Sequence, residues 1–352
     1  MTVYNLMRKG VILIIFFSMF VGLNSNAQDV HFSQFQSTPL IHNPSFAGKS
    51  EGDLRAIVNY RSQWGSVTSS PYQSFGASYD MRFEGVEKGE SYFAGGISMY
   101  SDVAGTSRMR TTLVNFTIAA HVKLNSRSYF SGGIQGGFNQ RSMEVDDLRF
   151  DNQLDGTGHN PLIDSQESFS SMSEMSPTIS GGISYIWSDG LAQSNTTQKP
   201  TMINVGLAVH HYNEPRYYAV VSEDIGMKMI ASLNGYFGLS NPLWTVRPSA
   251  YFALQNKATD FVLGSLLNYK LNSIATSSEE SMSIGFGAYF RFGDAIVPTV
   301  QLQWSSFILG MSYDANISNL NQISRGKGGF EISLKYIAKY LSLESKSRMG
   351  YM

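Results

Sequence analysis

From about residue 54 onward the chain repeats one pattern, segments of about ten residues in which apolar positions alternate with polar or glycine positions. In one row Met282, Ile284, Phe286, Ala288, Phe290 and Phe292 interleave with Ser283, Gly285, Gly287, Tyr289 and Arg291. Phe75, Ala77, Tyr79, Met81 and Phe83 form a second row, and Val114, Phe116, Ile118, Ala120 and Val122 a third. Phe307, Leu309, Met311 and Tyr313, then Phe330, Ile332, Leu334 and Tyr336, continue the pattern to the end. Successive side chains on a strand point to opposite faces, so each segment has one apolar face and one polar or glycine-rich face.

A soluble β-sandwich alternates too. Three features favour a membrane barrel instead. The segments approach the roughly 9–11 residues a tilted strand needs to cross a bilayer. Their apolar rows begin or end in aromatic residues, with Trp187, Trp244 and Trp304 placed as an interfacial girdle would be. The opposite face carries Arg, Lys, Asn, Gln and Gly, which suits a polar lumen. The fold expected is an all-β transmembrane outer-membrane antiparallel β-barrel of about 14 strands, closed so that no backbone group is unpaired in lipid.

The strands are predicted near 54–62, 74–83, 91–100, 110–123, 128–140, 176–187 and 201–211. The remainder are predicted near 228–239, 243–255, 259–271, 281–292, 295–304, 306–314 and 328–338. An even count puts both chain ends on the periplasmic side and the long connections 141–175 and 212–227 outside, with Ser240-Asn241-Pro242 and Ser305-Ser306 as tight periplasmic turns. The last segment also carries the spacing that barrel-assembly machinery reads, with Lys327, Gly329, Ile332 and Leu334 in place.

Composition changes the picture in one respect. A length of 352 residues suggests two soluble domains, but charged residues are only 15%, aromatics 13%, and there are 33 Gly. One barrel of long strands accounts for all of these. The net charge of −1 gives no sign of a nucleic-acid partner, and the absence of Cys removes disulfides and thiolate chemistry. The one strongly apolar run lies at the start. Arg8 and Lys9 precede an apolar core from Val11 to Leu23, and Ser25-Asn26-Ala27 supplies small residues, so signal cleavage is expected between Ala27 and Gln28. The expected organisation is a signal peptide over 1–27, an N-terminal periplasmic or plug segment over 28–53, the barrel over 54–338 and a periplasmic tail over 339–352.

No catalytic constellation, metal site or cofactor site stands out. The six His are scattered apart from the pair His210-His211, whose members should face opposite ways on a strand and so cannot share a metal. His121 falls on a polar face, where a hydrogen bond in the lumen is the default. The acidic run Glu144, Asp146, Asp147, Asp151, Asp155, Gly156 lacks the order of an EF-hand loop and reads as a solvated external loop. No G-x-S-x-G elbow is present.

The stretch Gln28-Asp29-Val30-His31-Phe32-Ser33-Gln34-Phe35, then Pro39-Leu40 and Asn43-Pro44-Ser45-Phe46-Ala47-Gly48, resembles the opening of the PorP/SprF family. The resemblance continues through Tyr60-Arg61-Ser62-Gln63-Trp64, Pro71-Tyr72 and Ala77-Ser78-Tyr79-Asp80. It returns at Arg110-Thr111-Thr112, Gln140-Arg141-Ser142, Ser312-Tyr313-Asp314 and Gly329-Phe330-Glu331-Ile332-Ser333-Leu334. That family consists of outer-membrane barrels of the type IX secretion and gliding-motility systems of Bacteroidota. The resemblance implies a barrel that binds and anchors, or helps export, a secreted cell-surface protein with a type B C-terminal sorting domain, such as a gliding adhesin. It implies periplasmic type IX secretion components and outer-membrane lipid as further partners. A diffusion or uptake channel for small solutes is the alternative. Contact residues for a partner are not identifiable from sequence.

Overall fold

The computed structural model describes residues 32–65, 68, 70–83, 91–105, 107–144, 148–155, 158–160, 162–166, 173–189, 201–217, 223–271, 282–318 and 324–338. Ala27, Gln28 and the tail 339–352 lie outside these.

The strands are β1 (Leu54–Gln63), β2 (Tyr72–Arg82), β3 (Tyr92–Ala104), β4 (Met109–Asn125), β5 (Ser128–Ser142), β6 (Ser173–Ser188) and β7 (Thr201–His210). After a short hairpin, β8 (Arg216–Tyr217) and β9 (Glu223–Asp224), come β10 (Lys228–Gly238), β11 (Trp244–Gln255), β12 (Ala258–Lys270) and β13 (Met282–Arg291). The series ends with β14 (Ala295–Trp304), β15 (Phe307–Asn316) and β16 (Lys327–Ala338). All but the β8–β9 hairpin pair with their neighbours in one closed barrel, the fourteen-stranded antiparallel barrel expected from the alternation. The seam is fully zipped, with β1 and β16 in register from Leu54↔Ala338 to Gln63↔Gly329.

The apolar rows face outward. Phe116, Ile118, Ile134, Ile179 and Leu207 are exposed, Ile134 to 70%, although water contact at that level would be unfavourable for so continuous an apolar surface. Aromatic residues gather toward the two ends of the wall. Trp244 packs on Tyr269 with ring centroids 4.7 Å apart, and Trp304 stacks on Phe307, which in turn meets Tyr336. Toward the other rim Phe261 stacks on Phe292 at 4.6 Å. Such belts suit the polar–apolar boundary of a bilayer.

Two departures from the expected strands have local causes. β3 runs on to Ala104 and β6 begins at Ser173, because the ladders β3–β4 and β5–β6 continue through Ala104↔Met109 and Ser142↔Ser173. Those ends carry Ser, Asp and Glu, so alternation gives no sign of them. Pro298 interrupts the β14–β15 ladder, which has partners at Ile296↔Ala315 and resumes at Thr299↔Ser312. Proline has no N–H to donate there. On the next ladder the register shifts between Tyr313 and Ala315, an irregularity of the kind that re-aims a side chain. The residue at that point, Asp314, is buried inside the ring.

Candidate functional site

Residues 32–50 lie within the ring of strands, and their contacts make up the most extensive polar site in the described structure. The segment is too short-pitched to be a strand. It holds a 3-10 turn at Phe35–Ser37, one α-helical turn, α1 (Pro39–His42), and a second 3-10 turn at Pro44–Phe46. Prolines at the first position of the latter two turns preset φ and remove an N–H that the turn has no use for. Asn43 caps the second, accepting from the Ser45 amide at 2.9 Å.

The C-terminal part, residues 43–50, is gripped through its backbone. Arg55 of β1 donates from Nη2 to the Phe46 carbonyl (3.0 Å) and from Nη1 to the Lys49 carbonyl (3.0 Å). The same guanidinium meets Asp80 of β2 in two parallel bonds of 2.9 Å. Asp80, wholly buried, also accepts from the Gly48 amide at 2.7 Å. Arg82 donates to the carbonyls of Gly48 (2.9 Å) and Ser50 (2.7 Å). His121 of β4 donates from Nε2 to the Ala47 carbonyl (2.8 Å), and its Nδ1 bonds the Ser131 hydroxyl (2.8 Å). On the far wall the Asn43 side chain donates from Nδ2 to the carbonyls of Ile183 and Leu207, each at 3.2 Å. Charge-assisted and fork-shaped pairing of this sort is the strong kind. Glycines on the inner face make room for it: a Cβ at Gly133 would fall 2.5 Å from the Pro44 carbonyl carbon, and one at Gly182 would overlap the Asn43 amide.

The N-terminal part meets a second charged cluster. Arg61 pairs with Asp314 at 2.6 Å, and Arg291 reaches Asp314 at 3.3 Å and Asp294 at 2.9 Å. Ser33 donates to Asp314 at 2.7 Å and accepts from Arg291 at 2.7 Å. Glu331 of β16 takes the amides of both Ser33 (2.7 Å) and Gln34 (3.0 Å). Phe35 sits edge-on to Tyr251 and Tyr289, with centroids 4.9 and 5.7 Å away. That pocket belongs to an apolar patch on the inner wall with Ile230, Val262, Leu266 and Val297. The lumen is thus not uniformly polar, contrary to the expectation from its face composition.

Burial shifts two groups of the segment. The His42 ring, packed against Phe35 and Tyr251, is lowered to about 3 by desolvation, with Lys228 and His210 adding to the effect. Burial likewise lowers Lys49 to about 7, with Arg55 beside it. Its ammonium bonds Ser184 at 2.7 Å and lies over the Phe46 ring.

Against the sequence expectations, the His210-His211 pair needs correction. β7 ends at His210, and His211 takes a φ of 56°, so strand alternation stops between them and both rings are buried. His210 donates to the His42 carbonyl at 3.1 Å, and His211 bonds Thr178 at 2.8 Å. Of the assembly-signal residues, Lys327 and Gly329 stand at the start of β16, and Leu334 is exposed on the outer face with Ile332 on the same parity. In the acidic run, Glu144 pairs with Arg108 at 3.4 Å, while Asp146, Asp147 and Gly156 lie outside the described residues.

The charges that do the gripping were not picked out from sequence as site residues, yet the signal was present. Arg61, Asp80, Asp314 and Glu331 all fall inside the short blocks that carry the family resemblance. Each is an ionisable residue on a membrane-spanning strand, a placement that is costly without partners.

A family profile described as type IX secretion system membrane protein PorP/SprF matches residues 24–336. No curated protein matches the chain. Among solved structures, similarity extends to the monoaromatic hydrocarbon channel TodX in a deletion mutant, at 10% identity over 86% of this chain and 94% of that one, with a TM-score of 0.47. A Pseudomonas aeruginosa FadL homologue is 11% identical over 84% and 92%, with a TM-score of 0.46. BamA from Haemophilus ducreyi is 10% identical over 82% and 71%, with a TM-score of 0.39. The family profile and the closed fourteen-stranded ring together make the chain a multi-pass barrel of the bacterial outer membrane.

Proposed function

The chain belongs to the PorP/SprF family of type IX secretion system membrane proteins, and on that premise we propose that it binds and anchors, or helps export, a secreted cell-surface protein. The cargo class is a polypeptide with a type B C-terminal sorting domain, such as a gliding adhesin, with periplasmic type IX secretion components as inward partners. The observation that carries this reading is the occupied lumen. Residues 32–50 form a plug that bonds to strands on opposite walls, from Asp80 on β2 and Ser184 on β6 to Ser249 on β11 and Glu331 on β16. Among the described residues this segment crosses the space a solute path would need, which favours a partner engaging the barrel at its mouth and loops over passage of solutes. Family and fold are those of a secretion or transport barrel and not of an enzyme.

The test is gentle detergent purification of the native barrel and identification of what accompanies it. A large secreted polypeptide with a C-terminal sorting domain, held in stoichiometric amount, is the expected result. A partner-free barrel that passes ions at steady conductance would refute the reading.

A further inference from the structure

The two halves of the plug are held by different chemistry, and the difference points to a site. Residues 46–50 are fixed at successive backbone groups by Arg55, Arg82, His121 and Asp80, and the chain enters β1 at Leu54 only a few residues on. Residues 33–36 are held otherwise. One carboxylate, Glu331, accepts two consecutive backbone amides. Ser333 donates to the Gln34 side chain at 2.8 Å, and Lys335 reaches the Gln36 carbonyl at 3.4 Å. The aromatic side chain inserted here is Phe35, in its pocket beside the buried Gln34 side chain. Two amides on a carboxylate and an aromatic ring two residues after the first amide are a means of reading a peptide that takes the same 3-10 turn and carries a phenylalanine-like residue at that spacing. Between the halves Thr38 has φ −132° and ψ 50°, outside helical geometry, and separates the two turns.

We infer that the inner wall formed by Tyr251, Tyr289, Arg291, Asp314 and Glu331 is a peptide-binding site, which Ser33–Ser37 occupies as a displaceable latch while residues 43–50 remain a fixed base. Its ligand is a polypeptide segment that takes the same turn and carries an aromatic side chain. This deepens the anchoring function by giving an incoming polypeptide a place to bind inside the mouth. A tethered competitor acts at an effective concentration in the millimolar range. A free peptide therefore reaches half-saturation only at roughly millimolar concentration, while a segment of a docked partner, itself held locally, competes on even terms.

The chain has no Cys, so introduced pairs have no competing thiols. Ser37 and Ser333 have hydroxyls 3.3 Å apart, and Ser45 and Ser184 have theirs 2.6 Å apart. The double variants S37C/S333C and S45C/S184C therefore lock the latch or the base separately on oxidation. The probe is a fluorine-labelled synthetic peptide of residues 32–38, followed by line broadening. It is expected to bind the unmodified barrel at millimolar concentration. Oxidation of S37C/S333C should weaken binding at least tenfold, reversed by reductant, while oxidation of S45C/S184C leaves it unchanged. Glu331→Gln should weaken it too, about tenfold. Equal binding to both locked forms, equal loss from both, or no binding to the unmodified barrel overturns the proposal. Hydrogen exchange on the unmodified protein gives a second reading that does not depend on any variant folding. Amides 33–38 should exchange at least tenfold faster than amides 45–49, and equal protection overturns the latch. A barrel that binds peptide but carries no secreted protein would sink the anchoring function and leave this site standing, and the converse result would do the opposite.

Discussion

Asp80→Ala tests the base of the plug most sharply. Asp80 is 0% exposed and accepts three hydrogen bonds, two from the Arg55 guanidinium and one from the Gly48 amide. Removing it leaves a guanidinium that is itself buried without its counter-charge. Breaking a buried pair from one side costs roughly 3–5 kcal/mol. Arg55 keeps its bonds to the carbonyls of Phe46 and Lys49, which places the expected loss near the lower end, about 3 kcal/mol. Replacing both partners by apolar residues of similar bulk, Arg55→Met with Asp80→Leu, should recover a good part of that loss, because no uncompensated charge remains. The assay is equilibrium urea unfolding in lipid vesicles, read by the fluorescence of the Trp residues, with hydrogen exchange at amides 45–49 to localise the effect. The barrel ladder should survive while exchange at those amides rises by two orders of magnitude or so. A loss under about 1 kcal/mol for Asp80→Ala, or a double variant no better than the single one, would refute the view that this pair clamps the plug.

Gly182→Val places side-chain atoms where the Asn43 amide now sits, so it should undock residues 43–46 and speed exchange at Ser45 and Phe46 at least tenfold, with strand content unchanged by circular dichroism. Docking should also weaken in acid. His42 is held at about 3 in place and returns to roughly 6.5 on release, so the released state binds more protons between those values and stability falls as pH drops through that window. At pH 5 the loss is about 2 kcal/mol, read as exchange or protease access at residues 38–43, and His42→Asn should abolish this part of the pH dependence. Ile134→Arg on the exposed face of β5 should cost about 2–4 kcal/mol in bilayers, and no measurable cost there would contradict a lipid-facing wall.

The strands were legible because the lipid face imposes a strict two-residue period, as in the row from Met282 to Phe292. The pattern faded where that face ends, at Ser101–Ala104 and Ser173–Met175, and there pairing with β4 and β5 alone sets the length. The hairpin β8–β9 lies in a loop with no alternation to announce it. The site was legible only as a resemblance. Blocks far apart in sequence, Asn43–Gly48, Ala77–Asp80, Ser312–Asp314 and Gly329–Leu334, meet in the lumen. Their joint purpose depends on contacts such as Ser33 to Glu331, nearly three hundred positions apart, which no local pattern encodes. The apolar pocket around Phe35 was hidden for the same reason, since Val262 and Leu266 on β12 and Val297 on β14 sit on inward positions and meet only across the closed ring.

The claim that the lumen is filled by the chain's own residues 32–50 underlies both the anchoring function and the latch. Single-channel recording of the purified full-length barrel in planar bilayers tests it most directly. The expected trace is electrically silent at moderate voltage, with steady conductance appearing once residues 32–48 are deleted. Large, steady openings from the unaltered barrel would contradict the account.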